Sequence, residues 1–257
     1  MNWLASLASA FLMYSKIPMI PVSWKEENRR YALCFFPLIG VVIGGIFFLW
    51  NWICSACSIH FFLRGAISVA IPMVITGGIH LDGFCDVMDA KASCADRAKK
   101  LEIMADPHIG AFGVMWLCIY LLVQGGVFSQ LTPLSAIWIV ALGFVLSRAL
   151  SGFAAVTFRS AKKTGALQNF SKPAQKTGSS VILLLTALAT AGGMIAIQPI
   201  IGGFSVLGAA LIFVYYRWSS YRQFGGITGD LAGWFLQLCE LAIPMGAVAG
   251  QILLEVM

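Results

Sequence analysis

The chain has 257 residues, of which 59% are hydrophobic and 11% charged, with a formal net charge of +6. A soluble domain carries about 25% charge, so this composition excludes an ordinary soluble domain and calls for an integral membrane protein. Backbone groups in lipid must be satisfied within the chain, which selects helices. The expected fold is therefore all-α, a polytopic bundle forming a single domain over residues 1–257.

Residues 1–14 are apolar but too short to span comfortably. No basic region precedes them, so they read as an interfacial or re-entrant helix rather than a cleaved signal. Residues 15–30 are polar. Seven spans, within a range of six to eight, are expected near 31–54, 62–81, 109–129, 133–158, 181–199, 201–217 and 231–254. Gly192-Gly193 and Gly202-Gly203 interrupt the fifth and sixth.

The loops test that assignment. Lys and Arg number four in 15–30, four in 82–108, five in 159–180 and two in 217–230. The alternating loops at 55–61, 130–132 and around 200 have none. The positive-inside rule makes the basic loops, the acidic loop and the N-terminus cytoplasmic. The positive charge is then a topology signal; the lipid bilayer is the expected partner and nucleic acid is not. The seven cysteines lack paired zinc spacing and read mostly as small apolar residues. Gly40-xxx-Gly44, Gly225-xxx-Gly229-xxx-Gly233 and Gly246-xxx-Gly250 are small-residue spacings that usually mean close helix packing. They leave a homo-oligomer open without arguing strongly for one.

The stretch Gly77-Gly78-Ile79-His80-Leu81-Asp82-Gly83-Phe84-Cys85-Asp86-Val87-Met88-Asp89 organises the reading. Asp82, Asp86 and Asp89 fall at i, i+4 and i+7, within roughly 60° of one another on a helix. Like charges at i,i+4 repel, so the cluster calls for a cation, and hard oxygen donors suit Mg²⁺. Asp106 is the candidate to complete that metal shell. His80, directly before the cluster, is a candidate base or phosphate donor. Intramembrane Arg148 is read either as an ion pair with Glu240 or as a fork for a diphosphate. Gly225, Gly226, Thr228 and Asp230, with Arg222 beside them, form a glycine-rich helix entry whose N–H groups can cradle phosphate.

At these residues the chain resembles the cobalamin synthase family, the adenosylcobinamide-GDP ribazoletransferases. The Gly77–Asp89 stretch is similar to the family hallmark, His108-Ile109-Gly110-Ala111-Phe112-Gly113 to its R-I-G-A-F-G element, and Gly225-Gly226-Ile227-Thr228-Gly229-Asp230 to its late G-G-x-T-G-D element. His108 stands where the family usually has Arg, a phosphate-binding position. Met88, Ala90 and Leu231-Ala232-Gly233 also depart from the common residues.

The resemblance implies joining of adenosylcobinamide-GDP to α-ribazole or its 5′-phosphate. GMP is released, Mg²⁺ is required, and the setting is a bacterial cytoplasmic (inner) membrane. The expected chemistry is in-line attack by the ribazole 5′-hydroxyl on the cobinamide-bound phosphate, with Asp89, Asp106 or His80 taking the proton. Two rivals are a CDP-alcohol phosphotransferase and a secondary transporter using Arg148 and Glu240 as a relay. Cys85-Asp86 stands where the former has an Ala-Arg pair, and no inverted repeat supports the latter.

Overall fold

The computed structural model describes residues 3–162 and 174–257; Lys163 and Lys172 of the expected basic loop lie outside the described residues. Among those described, the chain is helical throughout, with one isolated bridge between Ser160 and Ile227. Among the described residues, six helices are long and apolar enough to cross a membrane, or seven if a bent pair counts as one span.

The short apolar helix α1 (Trp3–Tyr14) is followed by a brief turn of helix, α2 (Glu26–Arg29). A 3₁₀ turn (Ala32–Phe35) leads into α3 (Phe36–Ala56). Then come α4 (Phe61–Thr76), α5 (Ile79–Ala92), the seven-residue α6 (Arg97–Ile103), α7 (Ala111–Ser129) and α8 (Leu134–Thr157). After the segment outside the described residues come α9 (Lys176–Ile197) and α10 (Pro199–Ser219). A π-helical turn (Ser220–Phe224) precedes α11 (Gly229–Val256).

α8 is the central post: 83% of its most apolar stretch is buried, against 17% for α9. Its neighbours are α3, α9 and α11. Between helices in lipid the driving force is close packing, so small residues gather where backbones meet. A side chain on Gly40 would collide with the Phe144 backbone, and one on Gly44 with that of Ala141. Those glycines are the point of contact between α3 and α8. Gly246 and Gly250 meet the α10 backbone around Phe204 and Ile201 in the same way. The small-residue spacings therefore serve packing within the chain. α7, α9 and α10 turn exposed apolar side chains outward, among them Trp116, Leu122, Leu185, Leu188, Leu211 and Val214, as lipid-facing helices do.

Two details differ from the sequence expectation. The second span does not run on to residue 81. It stops at Thr76, where Gly77 (φ +66°) and Gly78 (φ +77°) take left-handed conformations in succession, each disfavoured for residues with a Cβ by about 1–2 kcal/mol. The Gly78 N–H donates to the Met73 carbonyl at 3.1 Å, closing a Schellman-type end. The chain then turns by 98° into α5. What was expected to be a cytoplasmic loop from residue 82 thus begins as a helix wedged between α7 and α11. The glycine pairs at 192–193 and 202–203 do not break their helices. The break falls at Gln198-Pro199, where Gln198 Oε1 accepts the Ile201 N–H at 2.8 Å and caps α10.

Candidate active site

The site lies at the end of the bundle where α1, α5, the 104–110 turn and the start of α11 come together. α5 is held against α11 by two close backbone approaches. A Cβ on Gly83 would lie 2.7 Å from Asp230 Cα, and one on Gly233 would lie 3.0 Å from the His80 carbonyl oxygen. The approach at Gly83 brings Asp230 beside Asp82 and Asp86. The charges of Asp82, Asp230 and Asp89 all bear on Asp86, and Lys162 is the cation that offsets them. Asp82 and Lys162 also act on Asp230. Asp82 is exposed, while Asp86 and Asp230 are half-buried.

Two cavities flank α5. One, of about 740 Å³, is lined by Lys16, Thr76, Asp82, Asp86 and Asp106, among others. The other, of about 240 Å³, is lined by Tyr14, Phe36, His80, Asp82, Ser151 and Asp230, with apolar side chains between them. Asp82 belongs to the wall of both.

The remaining expected residues separate into those at the cavities and those used elsewhere. Asp89 Oδ2 accepts the Gly110 N–H and Oδ1 the Gly113 N–H, each at 2.8 Å. Its carboxylate thus satisfies orphan donors at the start of α7. Asp106 accepts from the His108 N–H at 2.9 Å and lies 2.7 Å from His108 Nδ1. The His108 amide and ring hold this exposed carboxyl below the usual range. His108 itself is 89% exposed and lines neither cavity.

Arg148 takes the ion-pair alternative. Its Nη1 donates to Glu240 Oε1 at 2.6 Å, with both side chains buried, and also to the Phe144 carbonyl at 2.9 Å. It lines a chamber of about 10 Å³ shared with His80, Gln124, Gln237 and Glu240. Its guanidinium is enclosed in the bundle, 6.0 Å from the Phe36 ring centroid, and lines neither of the two cavities beside α5; Glu240 on the facing helix supplies the counter-charge that a diphosphate was expected to bring.

The glycine-rich entry is organised by its own contacts. Gly225 (φ +80°) and Gly226 (φ +157°) form the turn, and the Gly225 carbonyl accepts from Arg159 Nη2 at 2.8 Å. Arg222 stacks its guanidinium on Trp218, 5.2 Å from the ring centroid, and does not line the cavities. Thr228 Oγ1 accepts the Leu231 N–H at 3.1 Å and caps α11. Of this element, Gly229 and Asp230 reach the smaller cavity.

Among the described residues, no group of three or more His, Cys, Asp or Glu side chains converges as a preformed metal centre. The donors present are nonetheless carboxylate oxygens with little opposing charge, which is the chemistry a hard divalent cation takes. Sequence reasoning missed three participants: Tyr14 and Phe36, and Lys16, whose stem covers Gly77. The signal for Lys16 was its position two residues after the first helix. No local pattern marked Tyr14 or Phe36, because their partner His80 lies far along the chain.

The profile of the family described as Cobalamin-5-phosphate synthase matches residues 6–248. A protein of Lachnoclostridium phytofermentans named adenosylcobinamide-GDP ribazoletransferase is 44% identical over 251 residues, covering 98% of this chain and 96% of the relative. Relatives of the same name from Treponema denticola (33% identical, 91% and 94% covered) and Clostridium botulinum (30% identical, 93% and 95% covered) are also similar. No solved structure matches the chain.

Proposed function

The chain belongs to the cobalamin-5-phosphate synthase family, and from that premise we propose that it is a membrane-embedded transferase joining adenosylcobinamide-GDP to α-ribazole, or to its 5′-phosphate, with release of GMP. The observation that carries the reading is Asp82 on the shared wall of two cavities, in a chain similar along nearly its whole length to proteins of that name. Two substrates must meet at one phosphorus, and two cavities meeting at one carboxylate suit that requirement. The CDP-alcohol phosphotransferase and transporter readings lose their support with the family assignment.

In the proposed reaction a free ribose hydroxyl of the nucleoside forms a bond through its oxygen to the cobinamide-side phosphorus; the 5′-hydroxyl expected from the sequence is ruled out as the common nucleophile, because α-ribazole 5′-phosphate has that oxygen esterified. The bond from that phosphorus to the bridging oxygen breaks, and GMP leaves carrying that oxygen. The proton of that ribose hydroxyl needs an acceptor. Asp89 is a poor candidate, since both its oxygens already accept amide protons. His80 lines the smaller cavity, but its Nε2 is buried; Asp82, exposed on the wall of both cavities, is the better one. Lys16, on the wall of the larger cavity, supplies positive charge toward the diphosphate.

Mg²⁺ is part of the proposal. One or two of the carboxylates of Asp82, Asp86 and Asp230, together with substrate phosphate oxygens, would hold it, and its chemistry there would be neutralisation of charge developing on the bridging oxygen. The basic loops favour a cytoplasmic site in a bacterial inner membrane.

The test is GMP release by purified protein given adenosylcobinamide-GDP, α-ribazole and Mg²⁺. Release matched one-to-one by corrinoid product supports the reading. Release without α-ribazole incorporation would mean a hydrolase.

A further inference from the structure

The smaller cavity differs from the larger one in kind. Three rings pack together on its wall although they come from distant parts of the chain. Tyr14 and Phe36 lie 4.6 Å apart between centroids. Tyr14 and His80 stack at 6.5 Å with an interplanar angle of 22°, and Phe36 meets His80 edge-on at 5.9 Å. Small residues of α8, Ser151, Gly152 and Ala155, line the same cavity. Small residues on a wall that also carries aromatic rings leave room for a flat group. The polar groups of the cavity, Asp82 and Asp230, belong to the acidic cluster, where the cavity touches its larger neighbour.

We propose that this aromatic-walled cavity seats the flat bicyclic base of the acceptor nucleoside, with its attacking ribose hydroxyl directed to Asp82 and the diphosphate arm of the other substrate in the larger cavity. The inference rests on the function proposed above. Base–aromatic stacking tolerates many bases but needs a π-face, and Tyr14 supplies one. His80 adds its ring to that wall, while its Nε2 is buried. The larger cavity lacks these rings, and its wall carries Asp82, Asp86 and Asp106 against Lys16, so it takes the anionic arm together with the divalent cation of the proposed function. α1 is thereby part of the substrate site.

Two measurements on the full-length protein in lipid nanodiscs test this. The first is steady-state GMP release. Tyr14→Leu is expected to raise KM for α-ribazole about ten-fold, in line with loss of one base–aromatic stack, while KM for adenosylcobinamide-GDP stays within about two-fold. Tyr14→Phe is expected to restore the wild-type KM. A Tyr14→Leu change that moves both KM values together, or neither, overturns the assignment.

The second is equilibrium dialysis of wild-type protein with labelled α-ribazole alone, competed by unlabelled α-ribazole or by 1-ribosylimidazole, which keeps the sugar but loses the fused ring. Competition by the former and at least ten-fold weaker competition by the latter is expected; equal competition overturns the assignment without any variant having to fold. Nucleoside binding of this selectivity in a protein that releases no GMP would sustain the base site and sink the transferase reading. GMP release with equal competition would do the reverse.

Discussion

Both oxygens of Asp89 accept backbone amide protons from the start of α7, whereas Asp82, two turns earlier on the same helix, faces both cavities. Charge-assisted hydrogen bonds contribute about 1.5–3 kcal/mol each. Asp89→Ala is therefore expected to lower the unfolding midpoint in detergent clearly, because it strands two amides at a helix start. A midpoint equal to wild type would remove that role. Asp106 makes a smaller statement. Its depressed pKa means that its contribution is present above the ordinary carboxylate range and is lost as pH falls through the depressed value. Amide exchange at His108 should accelerate, relative to its intrinsic rate, as the solution is acidified through that window. An unchanged protection factor would show that the Asp106 contact does not persist.

At the scale of the helix, the close approach of α5 to α11 fixes where the acids stand. Gly83→Ala would put a methyl 2.7 Å from the Asp230 backbone, and backbone cannot step aside as a flexible side chain can. The variant is expected to remain folded, with its unfolding midpoint lowered and kcat reduced at least ten-fold. Wild-type kcat would mean that this spacing does not govern the chemistry. The acid stripe on α5 was legible in the sequence because i, i+4, i+7 spacing depends only on helical geometry. The separate uses of those acids were not legible. Asp89 is taken up by Gly110 and Gly113, and Asp82 is joined by Asp230, through contacts between helices that no local spacing encodes. The end of α4 at Thr76 was misjudged for a related reason. Apolar composition runs on through Ile79 and Leu81, and two consecutive left-handed glycines override it.

For the whole molecule, the spans, the short first helix and the shared end of the bundle followed from hydropathy and the distribution of Lys and Arg. What hydropathy could not tell is which small-residue pairs face inward, since Gly40 and Gly44 read the same whether they meet α8 or a second copy of the chain. The Arg148–Glu240 pair ties α8 to α11 in the interior. Removing one partner of a buried pair costs about 3–5 kcal/mol, whereas replacing both by apolar residues is often neutral. Arg148→Met alone should destabilise strongly, and Arg148→Met with Glu240→Leu should recover most of the loss and keep turnover. A stable but inactive double variant would return Arg148 to the substrate site.

The account as a whole places the chemistry where the two cavities meet, and one measurement addresses that directly: kcat for GMP release by Asp82→Asn, beside its unfolding midpoint. The prediction is a fall of about 10²–10³-fold, the loss in kcat of removing one charge-stabilising group from an active site, with the midpoint near that of wild type. A kcat within a few-fold of wild type would contradict it.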